Sequence, residues 1–132
     1  MQAPLDRVIA DFNEYEELDY TISIIGERYY SNARRKGIEG LSAEAAGYFQ
    51  KAIDIWQRTI AKLPASPEYT PSVYFRLGVI YSQELGQFQK GIDNFKAAVG
   101  NWPDFEYAGC DLLLMARYYQ SLKQAGDLAK TD

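Results

Sequence analysis

The sequence contains no histidine and a single cysteine, Cys110, among its 132 residues. Histidine is the usual general base at neutral pH, and histidine and cysteine are the usual ligands of zinc. Their scarcity argues against histidine-based catalysis and against transition-metal centres, and one cysteine excludes a disulfide within the chain. Because no histidine is present to activate the thiol, we predict that Cys110 is a small buried filler.

Positive charge and long apolar runs are scarce as well. The net charge is -4, whereas a nucleic-acid-binding protein needs a basic surface. No apolar run approaches the roughly 20 residues of a membrane-spanning helix, and no basic-then-apolar signal segment opens the chain. We therefore expect neither a nucleic-acid partner nor a direct membrane span.

An internal repeat is present instead. A large apolar residue, a small residue, two further residues and a tyrosine occur in that order three times, at Ile25–Tyr29, Leu77–Tyr81 and Met115–Tyr119. Such repetition is typical of stacked helical hairpins. Residues four apart share a helix face, so each copy predicts a first helix with an apolar stripe and a site of close approach.

A second pattern follows two of these copies. A small residue, an aromatic four residues later and a small residue three after that occur at Ala52, Trp56 and Thr59, and again at Gly91, Phe95 and Ala98. This spacing predicts a second helix that presents an aromatic knob. Pro64 and Pro103 follow these segments and predict where each helix stops.

The first hairpin carries a long insertion, since Tyr29 and Ala52 are farther apart than Tyr81 and Gly91. The basic run at 34–36 predicts the last turn of an extended first helix, where cations suit the negative end of the dipole. We expect Gly37 and Gly40 to break the chain and Ser42 to be the N-cap of the second helix.

These residues resemble the tetratricopeptide repeat family, whose pattern the second copy follows closely with one extra residue in its turn. The positions that carry the resemblance are Tyr74, Leu77, Gly78, Tyr81, Gly91, Phe95, Ala98 and Pro103. The resemblance implies an all-α fold, a right-handed superhelical stack of helix hairpins. The long linkers and the phrase at 101–107 look most like bacterial arrays of the outer-membrane-assembly lipoprotein type. That likeness implies a periplasmic or outer-membrane-associated protein, and the composition leaves the cytoplasm open.

The expected organisation is a single domain over residues 1–132. The tail of a preceding repeat would lie at 4–12, repeat one at 18–63 with an insertion at about 33–46, repeat two at 71–102, and the first helix of repeat three at 106–125. We expect this chain to be a piece of a longer array.

The resemblance implies a function in protein–protein interaction, with a partner's peptide or helix held in a groove lined by the first helices. At about 100° per residue, nine residues lie opposite the predicted core stripe. They are Ser23, Glu27, Tyr30, Phe75, Val79, Ser82, Leu113, Arg117 and Gln120. None of the nine is lysine or asparagine, the residue types with which some family members hold a terminal carboxylate, so a helix or an extended apolar peptide fits better.

Three alternatives stay open at this point. The nine residues could instead contact neighbouring helices. The chain could be a structural segment that self-associates through apolar seams at Val8/Phe12 and Met115/Tyr119. An all-helical enzyme would need carboxylates such as Glu27 and Glu44 to converge, and nothing in the spacing favours this, so we predict no catalytic activity, no cofactor and no metal.

Overall fold

The computed structural model describes the backbone of residues 17–131 and the side chains of residues 24–126. This part of the chain is all-α, as predicted, and contains no strand. Its helices are α1 (Glu17–Ile38), α2 (Ser42–Lys62), α3 (Thr70–Val79), α4 (Phe88–Asn101) and α5 (Ala108–Thr131), with a π-helical turn at Ile80–Glu84 after α3. None of these helices combines the length and the apolar character needed to cross a bilayer.

The chain divides into two compact units, residues 1–64 and 65–132. In the first unit α1 and α2 pack together as a helical hairpin. Its turn is a Schellman motif in which the Leu41 amide donates to the Lys36 carbonyl (2.9 Å) and the Gly40 amide to the Gly37 carbonyl (3.1 Å). Gly40 has a φ of +81°, a conformation that glycine adopts without strain.

Residues 33–46, where the insertion was expected, belong mostly to the two helices of the first unit. Residues 33–38 continue α1 and residues 42–46 open α2, so the helices are 22 and 21 residues long. The basic run does end α1, as predicted. Two details were predicted wrongly: Gly37 stays inside α1, and Ser42 is the first residue of α2, whose N-cap is Leu41 without a side-chain cap bond.

Trp56 fills the centre of the first unit and is fully buried. A Cβ built on Gly26 would lie 2.1 Å from Trp56 Nε1, so only glycine lets the indole lie against α1. Tyr30 packs edge-on against Phe49 at 5.9 Å between ring centroids and lies 6.2 Å from Trp56. The small residue and the aromatic knob predicted from the repeat therefore meet.

In the second unit a π-helical turn follows α3, at the point where the sequence has one residue more than the pattern it resembles. The Leu85 amide donates to the carbonyl of Ile80, five residues earlier, at 3.0 Å. Gly86 then takes a φ of +67° and reverses the chain into α4. Proline at the start of α3 suits a helix's first turn, and α4 ends at Asn101, directly before Trp102–Pro103.

The core of the second unit repeats the glycine–aromatic contact of the first. A Cβ on Gly78 would lie 2.4 Å from the ring of Phe95, which is fully buried. Gly91 of α4 lies equally close to the turn, since a Cβ there would lie 2.6 Å from Ser82 Cβ. Helix α5 packs on α4, and Tyr118 stacks on Phe95 with ring centroids 6.5 Å apart.

Candidate functional site

Two of the nine predicted groove residues are buried. Val79 is 8% exposed and Ser82 is 2% exposed, and the Ser82 hydroxyl donates to the Gly78 carbonyl at 2.6 Å. The expectation that they lie on an open face is therefore wrong. The π-helical turn changes the spacing of side chains here, so a projection at 100° per residue fails for Ser82.

Two aromatic groove residues are half-buried and make contacts inside their own units. Tyr30 contacts Phe49 and Trp56 in the first unit. Phe75 stacks on Tyr107 at 5.2 Å between centroids with an interplanar angle of 20°, and it also lies 6.0 Å from Phe95. Both rings therefore contribute to packing, as the alternative interpretation of the groove residues predicted.

Glu27 is half-buried and lines a shallow depression of about 400 Å³ on α1, together with Ile24, Arg28, Ser31 and Asn32. Ser23 lies on the same helix, but its side chain falls outside the described residues. The depression has one apolar member, Ile24, and it therefore offers little apolar area to a partner.

The three groove residues of α5 are exposed. Leu113 is 74% exposed, Gln120 is exposed, and the Arg117 guanidinium lies 5.9 Å from the centroid of the Tyr118 ring. The structure thus leaves only this third of the predicted groove wholly open among the described side chains. Partner binding by any of the nine residues stays a prediction.

A second open surface on α5 is more apolar, and we call it the outer stripe. It consists of Leu112, Ala116 and Tyr119, which lie on one helix face at spacings of four and three residues. Leu112 is 54% exposed, Tyr119 is 45% exposed and Ala116 is exposed. The seam predicted at Met115/Tyr119 overlaps it, although Met115 is half-buried. Its other predicted half, Val8/Phe12, lies outside the described residues.

The outer stripe corresponds, 38 residues on, to the face of α3 that α4 covers. In α3 and the π-helical turn that follows it, these positions are Tyr74, whose ring lies 6.3 Å from that of Trp102, then Gly78 against Phe95, then Tyr81 beneath Lys90. Each of these positions therefore contacts a residue of α4 or of its C-cap. The same positions on α5 are open.

A lysine–tyrosine contact recurs between the first and second helix of both units. Lys90 Nζ lies 5.5 Å from the Tyr81 ring centroid, and Lys51 Nζ lies 5.8 Å from the Tyr29 ring and 5.3 Å from the Tyr48 ring. Each lysine directly precedes the small residue of the second-helix pattern. This adjacency of lysine and a small residue is the sequence signal for the lysine–tyrosine contact.

Asp111 is a buried carboxylate that sequence analysis missed. Its side chain is 0% exposed, and neither carboxylate oxygen has a hydrogen-bond partner. Burial raises the pKa of Asp111 from 3.8 to about 7. The corresponding α3 residue is Val73, which is 1% exposed, so alignment of the two helices would have marked position 111 as buried.

Within the described residues, no group of three or more acidic or cysteine side chains could hold a metal ion. Cys110 lies exposed on α5, so the prediction of a buried filler is wrong.

Comparisons with known proteins give little beyond this geometry. No family profile matches the chain, and no solved structure matches it. A probable serine/threonine-protein kinase of Dictyostelium discoideum, roco6, is 32% identical over 73 residues. That stretch is 55% of this chain and only 3% of the relative, so the chain spans a small part of the protein it matches.

Proposed function

We propose that the chain is a tetratricopeptide-like segment of a right-handed helical stack that binds a helix of a partner protein, and that the outer stripe of α5 is the binding surface. One observation carries the proposal. The α3 positions that hold α4 recur on α5, where Leu112 and Tyr119 are exposed.

The covered face of α3 defines the chemistry of the partner. Helix α4 places a lysine over the Tyr81 ring, and a small residue directly follows that lysine. Four residues after the small residue, Phe95 packs against Gly78. Helix α2 repeats this with Lys51, Ala52 and Trp56. A partner helix with lysine, a small residue and an aromatic at that spacing would place its cation over Tyr119 and its aromatic beside Ala116, farther from the helix axis than Phe95 lies from α3 because alanine carries a methyl group.

A labelled peptide of the α4 sequence, residues 88–102, serves as the probe, and fluorescence anisotropy measures its binding to the intact chain. We expect saturable binding that is weakened at least tenfold when the phenylalanine corresponding to Phe95 is alanine in the peptide. Anchors of this kind dominate binding free energy.

Tyr119→Glu places a charge in the outer stripe and should abolish peptide binding. Gln120→Glu is the matched control, because it adds the same charge at the neighbouring exposed position, within the predicted groove. Loss with Gln120→Glu and not with Tyr119→Glu would transfer the site to the groove. No binding by the unmodified chain would reject the outer stripe as a helix-binding surface.

The same variants also test whether the outer stripe binds a second copy of this chain instead of a different protein. Sedimentation velocity over a concentration series would reveal self-association, and Tyr119→Glu should remove it if the outer stripe binds another copy of the chain. A monomer at every concentration leaves a different protein as the partner.

A further inference from the structure

Helix α5 docks through one stripe of side chains. Ala108, Asp111 and Tyr118 are all less than 9% exposed and recur at the spacing of a single helix face. Tyr118 anchors this stripe by stacking on Phe88 (5.3 Å between centroids) and on Phe95 (6.5 Å). Asp111 is therefore part of the docking face.

An ionised carboxylate in such a place is unfavourable, because burial removes its hydration and no donor replaces the water. Both oxygens of Asp111 lack hydrogen-bond partners. The apolar Val73 fills the same position of α3, so the packing of such a helix does not require a carboxylate there. The neutral acid fits this site and the anion does not.

The charged groups of the surrounding helices do not compensate the carboxylate. On α4, Lys90, Asp93 and Lys96 are exposed, and Lys90 lies over Tyr81. On α3, the Arg76 guanidinium lies 6.0 Å from the Phe75 ring centroid. On α5 itself, Arg117 lies over Tyr118, which is the other ionisable residue of the docking stripe.

We propose that docking of α5 on α4 is coupled to protonation of Asp111, so that α5 is held firmly while the carboxyl is neutral and loosens when it ionises. The inference does not rest on the proposed function. It concerns the docking face of α5 and not its outer stripe.

The direction of the pH effect follows from linkage. An unfolded aspartate has a pKa of about 3.9, whereas the pKa of Asp111 in the folded protein is about 7. Between these values the folded state binds the proton that the unfolded state has lost, so stability falls as the pH rises from about 4 to about 7. The sequence has no histidine, the side chain that ordinarily titrates near neutrality, and a carboxyl group takes that role here.

Hydrogen exchange at pH 5.5 and 8.0, corrected for the intrinsic pH dependence of exchange, tests the coupling. Amides of residues 111–118 should lose at least tenfold in protection at the higher pH, relative to those of α2 residues 52–59 in the same sample. Asp111→Asn and Asp111→Val remove the titration, so their α5 protection should not change with pH. Asp111→Val should give higher amide protection of α5 than Asp111→Asn, because an apolar side chain is buried there without an unsatisfied polar group, as Val73 is in α3.

A carbon-13 NMR titration of the Asp111 carboxyl group gives an independent reading, with an expected midpoint near 7. A midpoint near 4 would overturn the proposal, because the buried group would then be ionised without loosening α5. Equal pH dependence of α5 protection in the unmodified chain and Asp111→Val would also overturn it. If the asparagine variant fails to fold, the valine variant and the NMR midpoint still test whether protonation of Asp111 is coupled to docking of α5.

Discussion

Gly26 and Gly78 determine how closely the helices of each unit approach. In both units a Cβ at this position would lie within 2.4 Å of the aromatic ring of the second helix. Those rings, Trp56 and Phe95, are fully buried, so they have little room to move. The repeat alone predicted this contact, because a helix tolerates glycine at an internal position when packing requires it.

Gly78→Ala should therefore destabilise the protein by about 1–3 kcal/mol through overpacking against Phe95. Gly100→Ala is the control, because it lies in α4 with no atom within 4 Å of its Cβ position. It should leave stability unchanged or raise it by up to about 1 kcal/mol, since alanine is the better helix former. Urea unfolding of the two variants measures the difference, and equal effects would contradict the close approach.

Trp56→Ala and Phe95→Ala should each cost about 3–5 kcal/mol, since each leaves a cavity in a closed core. Trp56→Phe should cost less, because repeat two holds phenylalanine at this position and the buried Trp56 Nε1 has no hydrogen bond to lose. Thermal melts followed by circular dichroism would show this order. Unchanged melting of both alanine variants would refute the packing.

Burial on the first helices was harder to predict than the glycine contacts. Val79 and Ser82 were expected on an open face, and both are buried, while Cys110 was expected inside and is exposed. A helical periodicity shows which residues share a face, but it does not show how many faces are covered. The burial of Asp111 was not predicted either, because a polar side chain adds nothing to an apolar periodicity.

At the scale of elements, proline predicted the helix ends better than glycine did. Pro64 and Pro103 follow α2 and α4 by two residues, and Gly40 turns the chain with a positive φ, whereas Gly37 stays inside α1. The extended first helix and a second helix that opens near Ser42 were predicted, whereas the break was expected at Gly37 as well as at Gly40. Residues 33–46 contain enough helix-forming alanine and charged residues to extend both helices around a short Schellman turn.

Gly86→Ala should destabilise the second unit by about 1–2 kcal/mol, because an L-residue at a φ of +67° places its Cβ against its own carbonyl oxygen. Gly37→Ala serves as the control, since Gly37 lies inside α1 with open space at its Cβ position. It should be neutral or stabilising by up to about 1 kcal/mol. Chemical denaturation distinguishes these outcomes, and a harmless Gly86→Ala would argue against the turn geometry.

Across the whole molecule, burial is uneven within each unit. Most of the fully buried side chains lie on α2, α3 and α4, whereas residues 123–126 of α5 are all exposed. The sequence predicted the helical repeats and the open side of the last helix. It placed the apolar seam at Met115 and Tyr119, whereas Met115 is half-buried and the open apolar stripe runs through Leu112 and Ala116 instead.

Amide exchange should therefore be slowest around residues 52–59, 77–80 and 92–98, and faster in residues 123–126. Addition of the α4-sequence peptide should slow exchange in residues 112–119 and leave residues 52–59 unchanged. Mass spectrometry of peptic fragments resolves these segments. Uniform protection along α5 in the free chain would contradict this distribution of burial.

The exposed thiol of Cys110 has a consequence for chemistry under oxidising conditions. It is the sole cysteine of the chain, and it lies on the surface of α5. Each molecule can therefore form one intermolecular disulfide and no more, so air oxidation ends at a covalent dimer and cannot build polymers. A single maleimide label attached there would report on α5 alone.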